Sequence, residues 1–116
     1  MKMQISKMLK DLGISPSLRG YQYIRYCVEL LQEDFSYVNN VTKKLYPEVA
    51  KKFDTTPSRV ERAIRHAIEE GWILGDIDLQ NKLFGYTVDQ DKGKPTNSQF
   101  IATVADWFAT IKLGGR

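Results

Sequence analysis

Apolar residues recur every three or four positions along most of the chain, the spacing that places them on one face of an α-helix. In "MQISKMLKDLG" this spacing predicts a short first helix that ends at Gly13. In "SPSLRGYQYIRYCVELLQED" it continues from Leu18 to Leu31, and the serine and proline before it are start signals for a long second helix. The spacing of Val38 and Leu45 predicts a short third helix.

A fourth helix is predicted over "LYPEVAKKF". Pro47 has no N–H and cannot lie in a helix interior, so we place it at the start of this helix. Val49, Ala50 and Phe53 then form its apolar face. The helix is expected to end at "DTT".

The most regular helical pattern lies in "TPSRVERAIRHAIEEGW". Thr56 can cap this helix and Pro57 can occupy its first position. Gly71 is expected to weaken the helix near its C-terminal end, because glycine costs about 1 kcal/mol in a helix interior relative to alanine. The predicted buried stripe comprises Val60, Ala63, Ile64, Ala67, Ile68 and Trp72.

The remaining sequence predicts one short helix and one long one. The short helix falls around Leu79–Phe84, within a connection rich in glycine and aspartate. Thr96 and Gln99 have the spacing of a capping box at the start of the final helix. Its predicted apolar face comprises Phe100, Ile101, Val104, Trp107, Phe108 and Ile111. The fold class is therefore all-α, with about six helices in a single domain over residues 1–116 and a helix-turn-helix at about 46–72.

Composition is that of an ordinary globular protein, with 42% hydrophobic and 27% charged residues. No apolar run is long enough for a membrane span, and the N-terminus lacks the apolar centre of a secretory signal. The single cysteine, Cys27, lies among apolar neighbours and is expected to be buried and unreactive. These features predict a cytoplasmic protein that does not contact a membrane.

Positive charge is concentrated in one region rather than spread over the chain. The net charge is only +3, but seven lysines and arginines against three acidic residues lie between Lys43 and His66. In a helix-turn-helix the second helix enters the DNA major groove, where arginine can form two parallel hydrogen bonds with guanine. The candidate base-reading residues are Ser58, Arg59, Glu61, Arg62, Arg65 and His66.

Each of these features also has a simpler interpretation. Arginines opposite a buried stripe also occur on any solvated amphipathic helix, or on a face that binds an acidic protein. We interpret Arg62 and Arg65 as free of acidic partners along the helix, which favours double-stranded DNA as the partner. Glu61 could accept a hydrogen bond from cytosine or hold a neighbouring arginine in place, while Lys51 and Lys52 could neutralise phosphates.

A second anion site is conceivable where the final helix begins. Lys92 and Lys94 precede that helix, whose first N–H groups favour a phosphate, although an ordinary capped helix would have the same sequence. Catalysis is poorly supported, because His66 is the only histidine and no nucleophile motif accompanies it. We therefore predict a protein that is not an enzyme and needs no metal or other cofactor.

Five segments resemble a known family along nearly the whole chain, from about Leu12 to Asp106. They are "GYQYIRY", "LYPEVAKKF", "TTPSRVERAIRHAIE", "LFGYTV" and "KPTNSQFIATVAD". This order is similar to the C-terminal DNA-binding domain of the stage-zero sporulation response regulator of endospore-forming bacteria. The resemblance implies a transcription factor that activates some promoters and represses others through TGTCGAA-like boxes. It also implies an N-terminal receiver domain, which this chain lacks, and tandem self-association on DNA.

The resemblance also implies roles for individual residues. The family's recognition contacts fall on the same six residues of "SRVERAIRH", and its phosphate contacts fall near Lys94, Thr96 and Asn97. A surface for the RNA polymerase sigma subunit falls in Gly75–Tyr86, with Phe84 as the candidate contact. The chain departs from the family at Pro57, at the Glu70–Gly71 pair and in the tail "WFATIKLGGR".

Overall fold

The computed structural model describes residues 2–85 and 93–112, and these ranges contain six α-helices. They are α1 (Lys2–Asp11), α2 (Arg19–Glu33), α3 (Tyr46–Lys52), α4 (Pro57–Leu74), α5 (Ile77–Phe84) and α6 (Asn97–Lys112). No strand occurs within the described ranges, and the prediction of an all-α fold with about six helices is confirmed. No helix of this described part is long and apolar enough to cross a membrane.

The first difference from the prediction is the start of α2. The serine and proline of "SPSL" do not begin the helix but form a turn, in which the Leu18 N–H donates to the Ser15 carbonyl at 3.1 Å. The helix itself begins at Arg19, and no side chain caps it. Hydrogen bonds between serine and the neighbouring backbone therefore stabilise a turn at this point rather than the start of a helix.

The second difference lies between α2 and α3. Instead of a short α-helix over Val38 to Leu45, the chain forms a 3-10 turn (Phe35–Asn39) and then a π-helical turn (Val41–Leu45). The π-helical turn leads directly into α3, and the Tyr46 N–H donates to the Val41 carbonyl. Because Pro47 has no N–H to donate, a regular α-helical ladder cannot continue through this point.

The core is centred on α2, which packs against α1, α4 and α6. Gly20 allows α2 and α4 to approach closely, since a Cβ atom there would lie 2.2 Å from the Ala63 carbonyl oxygen. Cys27 is fully buried in this core, as predicted, and burial raises the pKa of its thiol. Helix α2 therefore packs closely against the apolar stripe of α4, on the side opposite its polar face.

The two helices of the α3–α4 unit are connected by four residues, 53–56. Asp54 adopts a left-handed conformation with φ of 53°, which aspartate tolerates better than most residues. Thr56 then accepts a hydrogen bond from the Arg59 N–H at 3.2 Å, and Pro57 occupies the first turn of α4. Both capping predictions for this helix are confirmed.

The C-terminal end of α4 is anchored by three aromatic side chains. Trp72 packs edge-on against Phe84 of α5 and Phe100 of α6, and the two phenylalanine rings stack with their centroids 5.4 Å apart. Gly71 does not end the helix, which continues to Leu74. It is a packing position, because a Cβ atom there would lie 2.7 Å from Cδ1 of Ile14.

The capping box at the start of α6 is present as predicted. The Thr96 N–H donates to Oε1 of Gln99 at 2.9 Å, and the Gln99 N–H donates to Oγ1 of Thr96 at 3.2 Å. These reciprocal bonds fix the backbone at the beginning of α6. Among the predicted apolar residues of α6, the side chain of Ile111 lies outside the described part of the structure.

Candidate nucleic-acid interface

The outer face of α4 carries all six residues predicted to read DNA. Five of their side chains are exposed, and that of Glu61 is partly buried. The opposite face contributes Val60, Ile64, Ala67 and Ile68 to the core, and Ala63 and Trp72 pack partly buried against it. The predicted stripe is therefore confirmed, and α4 presents its polar residues outward on a supported helix.

The first two turns of this face carry arginines without acidic partners. Nη2 of Arg62 donates to the hydroxyl of Ser58 at 3.2 Å, one helical turn earlier. Within residues 2–85 and 93–112, neither Arg59 nor Arg62 forms an ion pair. Most of the N–H groups of these two guanidinium ions remain able to donate to a ligand.

The following turns differ, because Arg65 and His66 each lie close to a glutamate. Nη1 of Arg65 donates to a carboxylate oxygen of Glu61, four residues earlier. His66 Nε2 lies 3.8 Å from a carboxylate oxygen of Glu70. The interpretation of Arg65 as free of an acidic partner was wrong, and the expected absence of such a partner holds for Arg62 alone. The role considered for Glu61, holding a neighbouring arginine, matches the geometry.

Lys94 lies in the segment before α6 and is also paired. Its ammonium group donates to Oε2 of Glu69 on α4 at 3.0 Å. This hydrogen bond and the lysine charge lower the pKa of the Glu69 carboxyl below its ordinary value. The predicted phosphate ligand is therefore bound to a carboxylate in the unliganded protein, while Lys92 lies outside the described residues.

Asn97, at the first position of α6, makes contacts that its predicted role did not include. Its side-chain Nδ2 donates to the hydroxyl oxygen of Tyr46 at 3.1 Å and to the Glu61 carbonyl oxygen at 3.0 Å. An amide nitrogen has two hydrogens, so both are used within the protein. Thr96 is exposed at the N-terminus of α6, where a phosphate could reach its hydroxyl.

Sequence reasoning missed Tyr46, which the structure brings to this site from α3. Its side chain is 6% exposed, and burial raises the pKa of the phenol. A cavity of about 360 Å³ opens beside it, lined partly by Arg65, Lys94 and Thr96. Because Tyr46 is separated from Asn97 by 51 positions, no local sequence pattern could have indicated their contact.

Two lysines on α3 remain candidates for phosphate contacts. Lys51 and Lys52 are both exposed in the last turn of that helix, just before the connection to α4. The ammonium group of Lys52 lies 5.7 Å from the ring centroid of Tyr26, over its face. Cations thus flank the arginines of α4 on the α3 side as well as on the α6 side.

The candidate polymerase contact, Phe84, is not a surface residue. Its side chain is 1% exposed, because it is stacked on Phe100 beneath Trp72. It therefore does not present its ring to a partner, and the structure does not support Phe84 as the candidate contact. Ile77, at the start of α5, is 66% exposed in the same segment. Tyr86 lies outside the described residues.

The comparison with known families agrees with this geometry. The model of the family "Sporulation initiation factor Spo0A C terminal" matches residues 5–108, nearly the whole chain. The family is one of sporulation transcription-factor domains that bind DNA, and it is not a family of enzymes. The chain therefore belongs to the family of the C-terminal domain of the sporulation initiation factor Spo0A.

Proposed function

We propose that this chain is a sequence-specific regulator of transcription that reads TGTCGAA-like boxes and acts at the onset of sporulation. The observation that carries the proposal is the exposure of Arg59 and Arg62 on the first two turns of α4, where neither has an acidic partner among the described residues. Membership of the family supports it. Activation of some promoters and repression of others are part of the proposal.

In the proposed complex, the N-terminal half of α4 lies in the major groove. Arg59 and Arg62 donate to guanine O6 and N7, which accept two parallel hydrogen bonds from one guanidinium. Lys51, Lys52, Lys94 and Thr96 contact phosphates on the two sides of the groove, which positions α4 without reading sequence. Glu61 holds Arg65 through a hydrogen bond, so that a third guanidinium has a restricted geometry.

A titration of the protein against a TGTCGAA duplex and a scrambled duplex of equal length tests this function. We expect tighter binding to the box, with affinity for both duplexes falling as salt rises. Equal affinity for the two duplexes would contradict base reading. Absence of any DNA binding would favour the alternative, a helical module whose arginine face binds an acidic protein.

We propose further that α5 contributes to a contact with the RNA polymerase sigma subunit. Ile77 is the candidate in place of Phe84, because it is exposed within the same segment and adjoins exposed Ile73 and Leu74 on α4. Ile77→Ser should leave affinity for the box unchanged and lower transcription from an activated promoter in a reconstituted assay. Loss of box affinity would show instead that the segment supports DNA binding.

The final part of the proposal concerns assembly and control. We propose that the domain is monomeric when free and pairs head to tail on tandem boxes, where DNA brings two different surfaces together. Control by phosphorylation of a receiver domain on the same polypeptide is the mode of regulation that the resemblance implies. Sedimentation of the free domain as a stable dimer at low micromolar concentration would contradict the assembly scheme.

A further inference from the structure

Three parts of the structure meet at the side chain of Asn97. It lies at the start of α6, and its two amide hydrogens reach Tyr46 of α3 and the Glu61 backbone of α4. Tyr46 and Glu61 lie in the two helices of the proposed DNA-binding unit. A single side chain outside that unit thus bonds to both of its helices.

The two contacts restrain α4 where its outer face carries the proposed base-reading residues. The Glu61 carbonyl belongs to the residue that immediately precedes Arg62, and a carbonyl oxygen has a second lone pair beyond its helical bond. A donor on this oxygen from a different helix opposes rotation of α4 about its own axis. Such rotation would displace the Arg62 guanidinium sideways from a base edge.

Tyr46 makes this restraint rigid. Its ring is buried, so the hydroxyl oxygen that accepts from Asn97 has a fixed position. The capping box of Thr96 and Gln99 likewise fixes the backbone from which Asn97 extends. Binding sites that depend on exact placement need their first contacts held to within about 0.5 Å by such supporting bonds.

We propose that Asn97 is a positioning residue that sets the orientation of α4 for base reading, and that it acts through Tyr46 and the Glu61 carbonyl rather than by touching DNA. The inference rests on the proposed function and replaces the phosphate contact expected for Asn97. Both amide hydrogens are already engaged, so a phosphate contact through this nitrogen would require at least one of the two bonds to break.

Asn97→Ala and Tyr46→Phe test the inference together. Tyr46→Phe removes only the hydroxyl of a residue that is 6% exposed. We expect Asn97→Ala to weaken binding to the TGTCGAA duplex about 3- to 10-fold, the size of one or two net hydrogen bonds, and to leave the scrambled duplex unaffected. Tyr46→Phe should reproduce part of this loss, and the double variant should bind no more weakly than Asn97→Ala alone.

The controls separate positioning from other roles. Asn81→Ala makes the same chemical change at an exposed position of α5 and should leave both affinities unchanged. Thermal unfolding, monitored by circular dichroism, confirms that each variant is folded at the assay temperature. If Asn97→Ala proves unfolded, Tyr46→Phe and Asn97→Ser, which retains one donor, carry the test.

Three outcomes would overturn the inference. Equal weakening of both duplexes by Asn97→Ala would identify a direct phosphate contact. Full additivity of Asn97→Ala and Tyr46→Phe would show that they act separately, and a lower melting temperature with both affinities intact would show a purely structural role. Failure of the proposed function is distinguishable, since the unmodified protein would then show no preference between the duplexes.

Discussion

The first two turns of α4 and the turns that follow them hold their basic side chains in different ways. In the first two turns, Arg59 and Arg62 have no acidic partner within the described part of the chain. Farther along, Arg65 is bonded to Glu61 and His66 lies near Glu70. Positive residues on one helix face are therefore not equivalent, even when they are equally exposed.

The difference has an energetic consequence for DNA binding. A cation without a carboxylate partner exchanges only water and salt ions for a phosphate or a base. A paired cation must first give up its carboxylate, which then faces a negatively charged ligand. We therefore expect the N-terminal half of α4 to supply most of the sequence preference and the C-terminal half to adjust overall affinity.

The two ends of α4 also differ in the contacts by which the rest of the protein supports them. The C-terminal half lies against the cluster of Trp72, Phe84 and Phe100, and Glu69 is joined to Lys94. The N-terminal half is held by its Thr56 cap, its apolar stripe and Asn97. A firmly packed C-terminal half thus carries a first half whose polar side chains are exposed, an arrangement that suits insertion of the helix start into a groove.

The largest expected effect comes from Arg62. If it reads guanine, Arg62→Ala should weaken binding to the TGTCGAA duplex by about 1–3 kcal/mol, roughly 5- to 150-fold, with little change on the scrambled duplex. Arg62→Lys keeps the charge but not the planar pair of donors, so it should lose box affinity and retain affinity for scrambled DNA. Both variants are measured by titration of the two duplexes at several salt concentrations.

A contrary result for Arg62 would remove the distinction between the two halves. Equal weakening of both duplexes by Arg62→Ala would mean that the guanidinium acts only as an exposed charge. Full retention of box affinity by Arg62→Lys would lead to the same conclusion. Circular dichroism of each variant excludes unfolding as the cause.

The local features of this region were predictable from sequence, because they depend on residues within one helical turn. The Thr56 cap, the place of Pro57 and the buried stripe follow from short spacings, as does the Thr96–Gln99 box. The Glu61–Arg65 pair has a four-residue spacing and was also predictable. Glu61 was considered able to hold a neighbouring arginine, but Arg65 was still treated as free of an acidic partner, which made the arginine face seem more uniform than it is.

Contacts between helices were not predictable in this way. Lys94 and Glu69 are separated by 25 positions and Asn97 and Tyr46 by 51, so only the packing of α6 on the α3–α4 unit joins them. The burial of Phe84 likewise depends on Phe100, from a different helix. Sequence identified the candidate residues of the site, whereas the tertiary fold decided which are free and which support others.

A smaller effect is expected from the pair on the α6 side. Lys94→Ala should weaken both duplexes alike and reduce the salt slope by about one ion, because the lysine is proposed to meet phosphate alone. Glu69→Gln frees the same lysine and should strengthen binding to both duplexes by less than tenfold. Glu33→Gln, which changes the net charge equally at an exposed position at the end of α2, is the matched control and should have a lesser effect.

These measurements test whether the bond to Glu69 limits the contribution of Lys94 to DNA binding. If Glu69→Gln and Glu33→Gln strengthen DNA binding equally, the gain reflects net charge alone. A gain restricted to the TGTCGAA duplex would instead place Lys94 against a base. Either result would assign this side of the interface a role different from the one proposed.

The smallest expected effect is a dependence of folding stability on pH that arises from Glu69. Its carboxyl has a pKa below the ordinary value of 4.5 in the folded protein, chiefly because Lys94 donates a hydrogen bond to it. The pair therefore contributes stability above pH 4.5, and this contribution is lost as pH falls through the folded pKa. Since both side chains are substantially exposed, solvent screening keeps the contribution small.

Urea unfolding at pH 7 and at several values below pH 4.5 measures this contribution in the unmodified protein, Glu69→Gln and Lys94→Ala. Each variant should lose a little stability at pH 7 and show a shallower decline in acid than the unmodified protein. A decline as steep in Glu69→Gln as in the unmodified protein would mean that other carboxyl groups cause it. The Glu69–Lys94 bond would then not stabilise the fold measurably, and its effect would be confined to how Lys94 meets DNA.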